Sequence, residues 1–213
     1  MCYEAGVNNE QIKAFNPKTY STHLIANLPE KVCLHQVCIV GSCLFVAGGF
    51  DGFSCIIPDF YRLDLSSGVW TQLPHMKTKR ACFQLIGKSP SFKRPYKIII
   101  LALNHHLFAM GGLTPTGFTK SVERFDMVTH EWEIAASLRE PRYRHAACVT
   151  ARGKILLTGG ITRSREKGVP DVSEYNPDSN KWTEKQAMHQ ARDSHGMISK
   201  GRRIFVIGGQ EKL

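Results

Sequence analysis

Glycine pairs punctuate the chain at a near-constant interval, and that repetition constrains the fold more than any other feature. Diglycines stand at Gly48-Gly49, Gly111-Gly112, Gly159-Gly160 and Gly208-Gly209, their first members 63, 48 and 49 residues apart. The three tryptophans, Trp70, Trp132 and Trp182, follow the first three pairs by 22, 21 and 23 residues. Seven residues before each tryptophan comes a large side chain followed by Asp or Asn: Leu63-Asp64, Phe125-Asp126 and Tyr175-Asn176. Six residues after each comes Met76, Leu138 or Met188, and ten after each comes Arg80, Arg142 or Arg192. Landmarks at fixed offsets in three copies mark a repeat. Periods of roughly 20–50 residues belong to arrays in which each unit buries its apolar faces against its neighbours.

Each repeat reads as an antiparallel meander of four strands. Strand a follows the arginine (HAACVT), strand b runs into the diglycine (LFVAGG, LFAMGG, ILLTGG, IFVIGG), strand c carries the aromatic-Asp pair and strand d the tryptophan. Strand b, read as an inner strand, is apolar at successive positions, as a strand covered on both faces should be. Glycines at its end permit positive φ and close backbone approach, and the tryptophan fills the space between neighbouring units. The period near 50, the diglycine closing an apolar run and the aromatic-x6-Trp spacing resemble the kelch repeat over nearly the whole chain. That resemblance implies an all-β, kelch-type β-propeller.

On this reading residues 1–213 form one partial propeller: a half blade at 11–29, blades at 32–74, 80–138 and 142–188, and a half blade at 192–213. At the N-terminal end Phe15 takes the aromatic place, Thr22 the tryptophan place and Leu28 the methionine place. From Trp70 to Gly111 is 41 residues, against 26 or 27 elsewhere, which implies an insert at 87–101 in the a–b connection. A surface insert of this kind is expected to be dispensable. Three complete blades plus a composite of the two half blades would make four, whereas kelch-like propellers typically have six. An open arc with unpaired edges is therefore the expectation.

The longest apolar run, Ile98 to Leu103, is far short of a membrane span. The first fifteen residues lack a basic start and an apolar stretch, which argues for a cytoplasmic address. Seven cysteines without paired spacing are expected to be free thiols. Cys33, Cys38 and Cys43 lie five apart, so neighbours on a strand face opposite sides, and no CxxC or HxxxH completes a zinc site. His35, His145 and His195 share one repeat position with Phe83, which favours packing over metal binding. No phosphate-binding or nucleophile motif occurs, and no nucleic-acid module, so neither an enzyme nor a cofactor is expected.

The formal net charge is +10. The d–a connections carry +6 and the 87–101 segment +4, so the remainder is neutral on balance. In a meander the d–a and b–c connections share one end of the blade. The arginine-rich d–a end suits acidic side chains or phosphate on a partner, because guanidinium forks grip carboxylates bidentately. Candidate contacts are Lys77, Lys79, Arg80, Arg139, Arg142, Arg144 and Arg192, with Arg163 and Lys167 from the b–c loops. Arg80, Arg142 and Arg192 recur with the repeat and have a packing role as their alternative; Lys77, Lys79, Arg139 and Arg144 lie outside the pattern. Phe50, Phe53 and Phe118 in the b–c loops stand either as exposed anchors or as roofs over the blades.

Among kelch proteins the sequence is most similar to the kelch-like group, whose intact members carry BTB and BACK domains and act as substrate adaptors for cullin-RING ubiquitin ligases. The resemblance implies a non-catalytic protein-interaction module, the substrate-recognition part of such an adaptor without its BTB and BACK regions. The cullin would then be reached only through the missing BTB region. The alternative is a kelch scaffold that binds actin or other cytoskeletal proteins. Nucleic acid and membrane are not expected as partners.

Overall fold

The structure, a computed structural model, describes residues 2–4, 11–87 and 105–210. The described residues form 22 β-strands and no helix. An N-terminal sheet holds β1 (Cys2–Glu4), β2 (Gln11–Asn16) and β3 (Ser21–Asn27) in that order. The first four-stranded blade follows as β4 (Gln36–Val40), β5 (Cys43–Ala47), β6 (Phe60–Asp64) and β7 (Trp70–Leu73). Next come β8 (Gln84–Gly87), β9 (His106–Met110), the short hairpin β10 (Leu113–Thr114) and β11 (Gly117–Phe118), then β12 (Val122–Asp126) and β13 (Glu131–Ala135). Here β8-β9-β12-β13 make the second blade.

Then run β14 (Arg142–Tyr143), β15 (Ala146–Val149), β16 (Ile155–Thr158), β17 (Ile161–Thr162), β18 (Arg165–Gly168), β19 (Val172–Asn176) and β20 (Lys181–Lys185). The third blade is β15-β16-β19-β20, and β14-β17-β18 form a small sheet at its end. A final hairpin pairs β21 (Gly196–Lys200) with β22 (Arg203–Ile207). It and the N-terminal sheet remain separate sheets among the described residues. One face of this hairpin leaves Ile198, Phe205 and Ile207 exposed.

The aromatic-x6-Trp spacing is a cross-strand pair. Leu63 lies opposite Trp70, Phe125 opposite Trp132 and Tyr175 opposite Trp182, with Phe15 opposite Thr22 in the N-terminal sheet. The turn between each such pair explains the acid that follows the large residue. Asp64 Oδ1 accepts from the amides of Ser66 (2.8 Å) and Ser67 (3.2 Å), and Asp126 Oδ1 from those of Val128 (2.7 Å) and Thr129 (3.2 Å). These carboxylates close the turn from within, as Asp and Asn characteristically do.

Neighbouring blades share apolar cores. Phe45, Phe60 and Leu73 of the first blade pack with Leu107, Phe125 and Trp132 of the second; Phe108, Met110 and Val122 of the second pack with Ile155, Leu157 and Tyr175 of the third. Trp132 is 5% exposed, and its Nε1 donates to the Pro74 carbonyl of the preceding blade at 2.8 Å. Trp182 repeats the bond to the Ala136 carbonyl at 2.7 Å.

The three tryptophans are nevertheless not equally buried, contrary to what strict repetition implies: Trp70 and Trp182 are half-buried. Phe60 stands edge-on to Trp132 at 5.2 Å, whereas Ile12 and Val122 hold that place beneath Trp70 and Trp182. A smaller partner leaves part of the indole in solvent.

Strand b lies inside each sheet, and strand a lines the axis, where β4, β8, β15 and β21 touch one another in succession. Two further details differ from the sequence reading. The N-terminal sheet holds a third strand, β1, paired Cys2 to Phe15, outside the half blade read at 11–29. It lacks the diglycine that marks strand b elsewhere. Gly87 pairs with Leu107 and so belongs to strand a rather than to the insert; residues 88–104 lie outside the described residues.

Replacing Trp132 with Ala should lower unfolding free energy by about 3–5 kcal/mol, the range for large aromatic deletions in a core. Trp182→Ala should cost visibly less in the same urea titration, because part of that indole is already in solvent.

Candidate functional site

The arginines that recur with the repeat turn inward. Each backbone carbonyl accepts from the second glycine of the preceding repeat: Arg80 O from Gly49 N (2.9 Å), Arg142 O from Gly112 N (2.8 Å), Arg192 O from Gly160 N (2.8 Å). Each guanidinium Nη1 then donates to the first glycine of its own repeat, at Gly111 O (2.9 Å), Gly159 O (3.2 Å) and Gly208 O (2.7 Å). One residue thus ties the diglycines of two consecutive repeats. The glycines are required here. Gly112 has φ +104°, and a Cβ on it would lie 2.7 Å from Phe83 Cβ and 2.8 Å from the Ala81 carbonyl.

Arg80 is 0% exposed and forms a 2.6 Å ion pair with the equally buried Glu123, whose other oxygen accepts from Lys77 N at 2.7 Å. Arg142 lies between Asp171 (3.5 Å) and Glu140 (3.6 Å). The partner-contact role expected of Arg80 and Arg142 is therefore corrected. Both are buried, and their Nη atoms are engaged within the blades while each Nε is left without a partner; Arg192 is half-buried, with Nη1 on Gly208 O and Nη2 on Gln190 Oε1.

Two residues after each arginine the chain adopts a left-handed conformation: φ is +50° at Cys82, +55° at Arg144 and +56° at Ser194, with +53° at Leu34 in the equivalent place. Their backbones bond in series. Ser194 N donates to Arg144 O (2.8 Å), Arg144 N to Cys82 O (3.2 Å) and Cys82 N to Leu34 O (3.3 Å), making a rim around the innermost strands. The next residues, Phe83, His145 and His195, wedge their rings against Gly48, Gly111 and Gly159, where a Cβ would collide with them. Burial, with the Arg142 guanidinium and the His195 ring nearby, holds the His145 pKa down to about 3.

Inside the rim lies a cavity of about 410 Å³, lined by Gln36, Cys82, Gln84, Arg144, His145 and Gln210 among others. Arg144 is the exposed cation here. Its guanidinium sits 5.5 Å over the Tyr143 ring, which stacks at 4.4 Å on Phe118 of the b–c loop. Stacking and a fixed backbone pre-orient this guanidinium at the mouth. A second cavity of about 380 Å³ on the same end is lined by Arg139, Glu140, Ser164, Arg165, Val169 and Asp171.

Lys77, Lys79, Arg139, Arg163 and Lys167 are exposed. The structure thus brings Arg144 to the axial cavity and Arg139 to the second one, while Arg163 lies against Gly117 and Lys79 acts electrostatically on Asp59. Phe53 is 89% exposed, held at the tip of a turn by bonds from its own amide and that of Cys55 to Asp51; Phe118 is half-buried against Tyr143. Tyr143, Arg165 and Ser164 recur at no fixed offset, while Gln36 and Gln84 share a repeat position that Ala146 and Gly196 fill in the later repeats. Among the described residues no three His, Cys, Asp or Glu groups are placed to hold a metal ion.

A family model described as the KLHDC2/KLHL20/DRC7 Kelch-repeats domain matches residues 3–209. The chain belongs to the kelch-repeat family, and its fold is a kelch-type β-propeller. Kelch-like protein 34 of Homo sapiens is 27% identical over 216 residues, covering 94% of this chain and 31% of that protein. Kelch-like protein 41b of Danio rerio is 30% identical over 230 residues, covering 87% of this chain and 37% of that protein. The chain therefore spans about a third of the length of these relatives. A solved structure titled "Structure of YjhT" superposes with a TM-score of 0.75 at 13% identity, over 94% of this chain and 69% of that one, and shares the fold. Kelch repeats are in general non-catalytic modules for protein interaction. Among the described residues no helix is long and apolar enough to cross a membrane.

Removing one half of the buried ion pair, as in Glu123→Ala, should destabilise the chain by about 3–5 kcal/mol by chemical denaturation, because Arg80 is left charged and buried. His145 predicts a pH dependence. It is neutral in the fold and ordinarily titrates near 6.5, so its stabilising effect is complete above pH 6.5 and is lost as pH falls from there toward 3. The loss approaches about 1.4 kcal/mol per pH unit. His145→Phe, which copies Phe83, should lose less stability than the parent between pH 6.5 and 5 in thermal melts.

Proposed function

We propose that this propeller is a partner-recognition module, the substrate-binding part of a BTB-kelch adaptor for a cullin-RING ubiquitin ligase, and that it takes an acidic segment of a protein partner. The family membership supports the adaptor class. The observation that carries the acidic preference is Arg144: exposed at the axial cavity, stacked on Tyr143 and fixed by the backbone rim. A carboxylate entering the cavity would meet a planar fork stacked on Tyr143, with the side chains of Gln84 and Gln210 in the lining beside it. Arg139, Lys77 and Lys79 add a positive rim that accelerates encounter and weakens in salt.

A fluorescein-labelled octaglutamate peptide, followed by anisotropy, tests the reading. Arg139→Glu with Arg144→Glu should weaken binding about ten-fold at low salt and flatten its salt dependence. Loss on Arg163→Glu with Lys167→Glu, and no change in the first pair, would move the site to the b–c loops.

A further inference from the structure

The second cavity contains a serine in an unusual setting. Ser164 sits with Arg163 in the turn between β17 and β18, closed by the pairing of Thr162 with Arg165. Its side chain is exposed, and basic residues stand at 163, 165 and 167. The strand that follows, β18, is the edge of its small sheet. The Ser164 hydroxyl donates to Glu140 Oε2 at 3.0 Å and lies 3.1 Å from Thr162 Oγ1. The cavity it enters also receives Arg139 and Arg165, and on its inner side Glu140 and Asp171 flank Arg142. A single hydroxyl therefore bridges a d–a loop to a b–c loop as a donor, next to two exposed arginines.

We propose that Ser164 is a phosphorylation site for a protein kinase that reads basic residues beside its acceptor, and that the phosphate switches off the basic face. The second half rests on the reading of that face as an acidic-partner surface. In the transfer, Ser164 Oγ bonds to the γ-phosphorus of ATP as the bond to the β,γ-bridging oxygen breaks; the hydroxyl proton passes to the kinase base and ADP leaves. The product carries roughly −1.5 to −2 charge and no longer donates to Glu140. Repelled by that carboxylate, the phosphate turns to Arg139 and Arg165 within the same cavity, whose 380 Å³ exceeds the space a phosphoryl group needs. Two cations that face a partner become engaged within the domain.

The test uses the folded chain, Mg-ATP and a basic-directed Ser/Thr kinase. One phosphate should be incorporated at Ser164, located by fragment mass spectrometry, and Ser164→Ala should take up phosphate at least ten-fold more slowly. The phosphorylated chain should melt higher than its Arg139→Gln/Arg165→Gln counterpart by more than the unphosphorylated pair differ. Octaglutamate should bind the phosphorylated chain about five-fold more weakly at low salt, while Ser164→Ala binds like the parent. Phosphate taken up only after unfolding, or equally by Ser164→Ala, overturns the site. Incorporation that leaves octaglutamate affinity unchanged overturns the switch. If the unmodified chain fails to bind octaglutamate, the partner reading falls, whereas incorporation and the arginine-dependent melting shift stand or fall independently of it.

Discussion

One carbonyl per repeat, that of the arginine opening each strand a, holds consecutive sheets in place. It accepts the amide of the second glycine of the blade before, and the guanidinium of the same residue returns to the first glycine of its own blade. Both bonds need backbone atoms to approach without an intervening Cβ, which is why two glycines and one arginine recur together. The rest of the packing is organised around this tie. It sets the depth at which Phe83, His145 and His195 wedge between blades, and it leaves Trp132 and Trp182 to bridge the outer edge through the Pro74 and Ala136 carbonyls.

Periodicity separates structure from candidate function in this molecule. Arginines at fixed offsets are consumed by the frame: Arg80 is sealed with Glu123, and Arg142 is held between two carboxylates. Those outside the period, Arg139 and Arg144, come out at cavities. A buried cation needs its charge matched, and the repeat adds a glycine carbonyl for one guanidinium nitrogen at each turn. An irregular cation has no such ready-made partner and reaches solvent instead.

The blades were legible in the sequence because their determinants are local and repeated: diglycines, the aromatic-Trp pair and the Asx turns each span fewer than ten residues. What escaped notice depended on partners distant in sequence. The unequal burial of Trp70 and Trp182 follows from Ile12 and Val122 standing where Phe60 stands, and those residues belong to the preceding sheet. The apolar run of strand b reflects its place inside each sheet, and strand a, less apolar, lines the axis. Of the site, Arg139 and Arg144 were visible as charges outside the repeat. Tyr143 and Ser164 join them through pairing of β14 with β17, and Phe118 through its stack on Tyr143, which no spacing rule announces.

The rim at the axis also contributes to the chemistry that the centre of this propeller displays. Its four members are Leu34, Cys82, Arg144 and Ser194: an alkyl group, a thiol, a guanidinium and a hydroxyl, all on the same left-handed backbone and joined by main-chain bonds alone. Because no side chain holds the rim together, any one can be exchanged without disturbing blade packing. The left-handed backbone still imposes a restricted alphabet, since branching at Cβ is penalised most there and Val, Ile and Thr are disfavoured. A single codon at any of these positions rewrites the lettering around the axis, while the frame that displays it stays constant.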